Sequence, residues 1–98
     1  MKTKNKEVQK IAKIVVPILK KNDVVKAGIF GSYARGEAKK RSDVDMLIQF
    51  KGRKSYFDLV GLEQELGERL GKKVDLLTYK SVNLLLKKSI FEDEVRIL

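Results

Sequence analysis

The chain has 98 residues, 43% of them apolar and 36% charged, which predicts one folded domain over residues 1–98 and excludes a disordered chain. The lack of cysteine excludes disulfides and thiolate metal sites and favours a cytoplasmic location. No apolar run reaches the roughly 18 residues that a membrane span requires, so no membrane partner is expected. The net charge of +9 raises nucleic acid as a partner, but the basic residues are scattered, which favours a solvated surface.

Apolar residues at helical spacing over residues 5–21, with lysines on the opposite side, predict an amphipathic first helix that ends at Asn22 and Asp23. Pro17 is expected to kink this helix or delay part of its start, because proline removes a backbone hydrogen bond and clashes with the preceding turn. We expect the helix to pack on a core rather than lie on a membrane surface.

The next apolar run, Val24–Phe30, predicts the first strand. The run breaks at Gly31 and Ser32, where a short helix is expected to begin with free backbone N–H groups. Such groups bind anions, phosphate above all. Arg35 follows closely, and its fork of donors would reach a phosphate or lie exposed on the surface; the sequence alone leaves both open.

A second strand is predicted over residues 43–50. Side chains alternate along a strand, so Asp43 and Asp45 leave the same face and point at one spot. This face is expected to open to substrate. The other face is apolar and is expected to lie on the helices through Val44, Met46, Ile48 and Phe50.

The aspartate pair of the second strand suggests a metal. At a separation of roughly 6 Å and an effective dielectric of about 20, the two charges repel by about 3 kcal/mol. Solvent, nearby lysines, raised pKa values or a divalent cation would offset this repulsion. With no histidine or cysteine in the chain, an oxygen-only Mg²⁺ or Mn²⁺ site is favoured over zinc. A phosphate-binding turn beside an acid pair suggests metal-assisted phosphoryl chemistry.

A third helix is predicted from a capping box, in which Ser55 stands at the N-cap and Asp58 three residues later. The helix is expected to run to about Leu70 and to stop at Gly71 in a left-handed conformation. The next apolar run, Val74–Thr78, predicts the third strand.

The C-terminal part predicts a last helix over residues 82–92, capped by Ser81, and a short final strand or apolar tail over residues 95–98. The inward residues of this helix are expected to be Leu85, Leu86 and Ile90. The order of elements predicts an α/β or α+β two-layer domain, a small mixed β-sheet with helices packed on one face.

The sequence resembles the minimal nucleotidyltransferases of the DNA polymerase β superfamily. Their signature is a Gly-Ser turn, often continued as Ala-Arg-Gly, then Ser-Asp-x-Asp and an apolar strand. Here it stands as GSYARG at residues 31–36 and SDVDML at residues 42–47. The family has a third acid in a later strand, and KVDLLT at residues 73–78 looks like that element, placing the acid at Asp75. Periodicity alone would assign Asp75 as a satisfied polar residue or an edge charge.

The resemblance implies a nucleotidyltransferase-like fold and transfer of a nucleoside monophosphate, AMP from ATP, to a hydroxyl. Its site residues map here in two groups. The metal-binding and catalytic acids, which would hold two Mg²⁺ or Mn²⁺ ions, are Asp43, Asp45 and Asp75. The phosphate ligands are Gly31, Ser32 and Arg35.

The acceptor is implied only by analogy. A domain this small needs a partner or a second copy to complete an acceptor site, so a homo-oligomer is one alternative. Proteins of this kind resemble antitoxins whose partner is an all-helical HEPN-domain toxin, a ribonuclease, which they adenylylate on a tyrosine. Two other functions stay open: a non-catalytic antitoxin of the same fold, and a basic nucleic-acid-binding module.

Overall fold

The computed structural model describes residues 3–84 and 88–98. Its elements follow in this order: α1 (Lys6–Lys21), β1 (Val24–Phe30), α2 (Gly31–Arg35), β2 (Val44–Phe50), α3 (Tyr56–Leu70), β3 (Val74–Thr78), α4 (Tyr79–Leu84), α5 (Lys88–Asp93) and β4 (Val95–Arg96). The first and third predicted strands are confirmed with their bounds, and the second begins one residue later than predicted.

The four strands form one mixed sheet in the order β3-β2-β1-β4, as the prediction of a small mixed sheet requires. Strand β2 pairs antiparallel with β1 and parallel with β3. The register sets Asp45 between Asp75 on β3 and Phe30 on β1, the residue immediately before Gly31. The acids and the Gly-Ser turn therefore lie at the same end of the sheet.

The two long helices, α1 and α3, pack on one face of the sheet, where their apolar stripes meet the inward residues of all three longer strands. Both helices begin with a side-chain cap. The Asn5 carboxamide accepts the Val8 N–H, and Ser55 forms the predicted capping box with Asp58. Pro17 lies inside α1, which continues through it as one helix, and Asn22 caps the C-terminus of α1 as predicted.

The opposite face of the sheet carries a smaller apolar cluster, made by Phe30, Leu47, Tyr79 and Val82 with Ile90 and Phe91 at its margin. The prediction of helices on one face holds for the two long helices, but α4 and α5 cover part of the face expected to open to substrate. The reason is Leu47, which shares that face with the acids. Burying a leucine stabilises the fold by about 2 kcal/mol, and its side chain is fully buried here.

The last helix differs from its prediction, because the described residues there form two helices, α4 and α5. The first of them begins at Tyr79, and the Thr78 hydroxyl, not Ser81, acts as the cap by accepting the Ser81 N–H at 3.1 Å. The predicted inward residues Leu85 and Leu86 lie outside the described residues. Across residues 3–84 and 88–98, no helix is both long and apolar enough to cross a membrane.

Candidate active site

The turn between β1 and α2 is built on a glycine for two reasons. Gly31 has φ +73°, a left-handed conformation that other residues adopt at a cost. A Cβ atom at this position would also collide with the Asp45 carboxylate. The antiparallel register produces this approach, because Asp45 stands opposite the last residue of β1. The turn and the acid therefore form one structural unit.

Three aspartates gather beside the turn. Asp45 and Asp75 are neighbours across the parallel strands, and Asp43 directly precedes β2. Partial burial raises the pKa of Asp45, and the nearby charges of Asp75 and Asp43 raise it further, while Arg35 opposes them. The Lys73 ammonium lies 4.0 Å from the Asp43 carboxylate, and both groups are exposed. The structure thus brings together all three acids that the sequence singled out.

The donor set suits a hard cation. The groups are carboxylates, and burial first and the charges of Asp75 and Asp43 second raise the pKa of Asp45, so a cation there would offset the repulsion. Within residues 3–84 and 88–98, however, no three acidic, histidine or cysteine side chains are already arranged to hold an ion. Mg²⁺ usually keeps several waters and is bound by one or two carboxylates together with substrate phosphates. A shell at these aspartates would therefore be completed by a bound triphosphate and water.

A cavity of about 380 Å³ opens beside the turn, within the size range of small-ligand sites. Four predicted site residues and the residue before the turn line one side, and three residues of α5 line the other: Phe30, Gly31, Ser32, Arg35, Asp45, Ser89, Ile90 and Asp93. Asp43 and Asp75 are not among the described residues that line this cavity, although both lie next to Asp45, which does. Sequence reasoning missed Ser89 and Asp93, since no periodicity or motif marks them and only the tertiary position of α5 brings them here.

Arg35 is held at the cavity by two carboxylates. Its Nη1 donates to Asp93 at 2.9 Å and its Nε to Glu37 at 3.2 Å. These two hydrogen bonds, the one to Asp93 first, raise the pKa of Arg35. The guanidinium is about half exposed and two of its five N–H groups are used, so other N–H groups remain for a phosphate. Its role as a phosphate ligand stays a prediction.

The position of α5 depends on a contact between α4 and the residue that follows α5. The Tyr79 hydroxyl donates to the Glu94 carboxylate, which passes over Gly28 where no Cβ would fit. The Tyr79 ring stacks on Phe91 with centroids 6.3 Å apart, and the Lys26 ammonium lies 4.2 Å from its centroid. Burial, and then the hydrogen bond to Glu94, raise the pKa of Tyr79. These contacts hold α5 against the cavity.

The chain is similar to known proteins along most of its length. The polymerase beta nucleotidyltransferase family matches residues 9–98. A candidate protein adenylyltransferase of Methanocaldococcus jannaschii is 50% identical over 91 residues, which cover 93% of this chain and 98% of that protein.

Two solved structures share the fold. A toxin–antitoxin crystal structure with AMP-PNP matches with a TM-score of 0.78 at 21% identity, covering 89% of this chain and 72% of that one. A tri-AMPylated Shewanella oneidensis HEPN toxin in complex with an MNT antitoxin matches with a TM-score of 0.72 at 20% identity, covering 92% and 71%. The turn, the acids and these similarities lead to one conclusion: the chain belongs to the polymerase beta nucleotidyltransferase family.

Proposed function

We propose that this protein transfers AMP from ATP to a tyrosine hydroxyl of a HEPN-type toxin and thereby acts as its antitoxin. The observation that carries the proposal is the contact between Asp45 and the Gly31 turn at the edge of a cavity of about 380 Å³. The name of the M. jannaschii relative supports adenylyl transfer to a protein. The similar complexes support a nucleotide and a HEPN toxin as the two substrates.

The nucleotide would enter the cavity with its phosphates against the turn. Backbone N–H groups near Gly31 and Ser32, with the Ser32 hydroxyl, would hold the β and γ phosphates. Arg35 would add charge-assisted hydrogen bonds from the N–H groups that Glu37 and Asp93 leave unused. The cavity volume of about 380 Å³ is small for a whole nucleoside triphosphate, which supports a site that is completed by the acceptor.

The chemistry would occur at the three aspartates. Asp43, Asp45 and Asp75 would hold two divalent cations, Mg²⁺ or Mn²⁺, which when bound lower the pKa of the attacking hydroxyl and neutralise the triphosphate. The acceptor oxygen forms a bond to the α-phosphorus of ATP, and the bond from that phosphorus to the pyrophosphate oxygen breaks. Asp75 accepts the hydroxyl proton, and pyrophosphate leaves.

The test is transfer of label from α-³²P-labelled ATP in the presence of Mg²⁺ to the purified HEPN-domain protein of the same cell. The variant Asp45→Asn is expected to lower the rate at least about 100-fold, because it removes a charge that binds cation in the transition state. The matched control is Glu68→Gln, an exposed acid on α3, which should label the acceptor at the wild-type rate.

Three outcomes decide the proposal. Acid-dependent label on the toxin, with loss of its ribonuclease activity, supports it. Neutralisation of the toxin by both wild type and Asp45→Asn, without label, would instead assign a binding-only antitoxin. Label found in RNA and not in protein would redirect the function to nucleic-acid nucleotidyl transfer.

A further inference from the structure

A second surface feature lies along the outer edge of β3, and we name it the β3 edge groove. It has a volume of about 330 Å³, and its lining includes Tyr56, Leu59, Val60, Leu77, Thr78 and Ser81. Two of these side chains are exposed, Tyr56 at 74% and Leu77 at 36%. A central aromatic and aliphatic pair is typical of the energetic centre of a protein interface.

The β3 edge groove begins beside the acids at Leu77 and extends from there toward the C-terminal end of β3. Leu77 lies two residues after Asp75 on the same strand and therefore on the same face. In the sheet order β3-β2-β1-β4, the cavity is built at the end of β1 with α2 and α5, whereas β3 is an edge strand. Across the sheet, the cavity therefore lies on the β1 side of the acids and the groove on the β3 side.

We propose that the β3 edge groove is the docking surface of the protein that carries the acceptor hydroxyl. This inference rests on the proposed function. A nucleotide whose phosphates meet the Gly31 turn occupies the β1 side of the acids, so the attacking hydroxyl must approach from the β3 side. A protein that delivers it there covers the groove.

The edge of β3 favours docking through side chains. The Leu76 N–H donates to the Glu63 carboxylate at 2.8 Å. This backbone donor is therefore already satisfied by α3, which disfavours addition of a partner strand at the middle of β3. The partner must instead offer an apolar side-chain cluster to Tyr56 and Leu77.

Basic residues of a neighbouring cavity, next to the groove at the C-terminal end of β3, indicate an acidic rim on the partner. Thr78 also lines a neighbouring cavity of about 520 Å³ that contains Arg53, Lys54 and Lys80. Lys54 pairs with Asp23 at 2.9 Å, whereas Arg53 and Lys80 form no ion pair within residues 3–84 and 88–98. A second copy of this chain, with its net charge of +9, would bring like charge to this rim. The complementary occupant is an acidic acceptor protein.

The test measures transfer rates from α-³²P-labelled ATP while the concentrations of ATP and of the HEPN-domain acceptor are varied separately. Tyr56→Asp and Leu77→Asp are each expected to raise the KM for the acceptor about tenfold or more and to leave the KM for ATP within about twofold. The matched control is Ile14→Asp on α1, an apolar residue that is 40% exposed and lies outside the lining of the groove, which should change neither constant.

The outcomes separate this inference from the proposed function. Wild-type transfer with an unchanged acceptor KM in Tyr56→Asp would overturn the docking surface and leave the proposed function intact. Tyr56 is the decisive position, because Leu77 lies close to Asp75 and its substitution could also disturb the acids. An equal rise in the KM for ATP would also overturn it. So would a dimer that Tyr56→Asp converts to monomer without slowing transfer, because a second copy would then occupy the groove. No transfer by the wild type would overturn the proposed function and the docking surface together.

Discussion

At the scale of single residues, the site depends on how closely Gly31 and Asp45 approach. The carboxylate occupies the space that a side chain at position 31 would need. The same chain contains a natural comparison, Gly36. It has nearly the same φ, +74°, but open space where a Cβ atom would stand. The two positions therefore separate the cost of backbone strain from the cost of the collision.

We expect Gly36→Ala to cost about 1–2 kcal/mol of unfolding free energy, from the left-handed backbone alone, and to keep full transfer activity. Gly31→Ala should lose more stability and nearly all activity, because it adds displacement of Asp45. Thermal unfolding and label transfer measure the two effects. If both variants behaved alike, the collision would have no consequence for the site.

The raised pKa of Asp45 has a defined effect on stability. Its pKa in the folded chain lies above the ordinary value of 3.8, so the folded state favours the protonated form and loses stability as the pH rises through that pKa. Asp45→Asn removes this cost. At pH 7 the variant should therefore unfold at a higher Tm than the wild type. The gain should vanish below pH 3.8, where the wild-type carboxyl is also neutral. Unfolding curves at both pH values check this.

Mg²⁺ should make the wild type more stable than Asp45→Asn. A cation that binds only the folded acids stabilises the wild type by about 2.7 kcal/mol at a concentration 100 times its Kd. Asp45→Asn should gain far less, whereas Glu68→Gln should respond like the wild type. The measurement is Tm in a titration with MgCl₂, in the presence and absence of AMP-PNP. Equal shifts in all three proteins would argue against a metal at Asp45.

At the scale of elements, α5 is the part of the site that depends most on tertiary contacts. It is a short helix of 6 residues, and helices this short are marginal without packing. Its anchors are the Tyr79–Glu94 hydrogen bond and the stacking of Tyr79 on Phe91. Because α5 supplies Ser89 and Asp93 to the cavity, loosening these anchors should affect the nucleotide more than the acceptor.

Tyr79→Phe tests this dependence. The change keeps the ring but leaves the Glu94 carboxylate without its donor, which should cost about 1–3 kcal/mol of stability. We expect the KM for ATP to rise several-fold and the KM for the acceptor to stay constant. Tyr56→Phe is the matched control for stability and for the KM for ATP, since Tyr56 is 74% exposed. A stable variant with normal ATP kinetics would contradict the anchoring role.

At the scale of the whole molecule, the net charge of +9 on 98 residues opposes compaction by self-repulsion. The ion pairs within the described residues join exposed or partly exposed side chains, which contribute little each. Stability must therefore come from the apolar core on the α1 and α3 face and from the smaller cluster around Leu47.

Salt should consequently stabilise the protein. Raising NaCl from 0.01 M to 0.3 M shortens the screening length from about 30 Å to under 8 Å, which weakens the repulsion among the lysines. We expect the Tm to rise by a few °C. A fall in Tm would mean that the exposed ion pairs outweigh the net repulsion. The same salt change should weaken acceptor binding if the acceptor has an acidic rim.

The local features of this chain could be predicted from sequence because each is encoded within a few neighbouring residues. The strand Val24–Phe30 follows from an apolar run, the start of α3 from the Ser55–Asp58 capping box, and the shared face of Asp43 and Asp45 from the alternation of a strand. The motif spacing was also sufficient to identify the family, which the match over residues 9–98 bears out.

Only the tertiary structure decided which of these features touch. Arg35 bonds to Asp93 across 58 residues of sequence, and Leu47 is buried because α4 and α5 return over the face of the sheet that also carries the acids. The order β3-β2-β1-β4 set the cavity on one side of the acids and the β3 edge groove on the other. No local pattern encodes that order, because it depends on the burial free energy of the whole sheet rather than on any short stretch of residues.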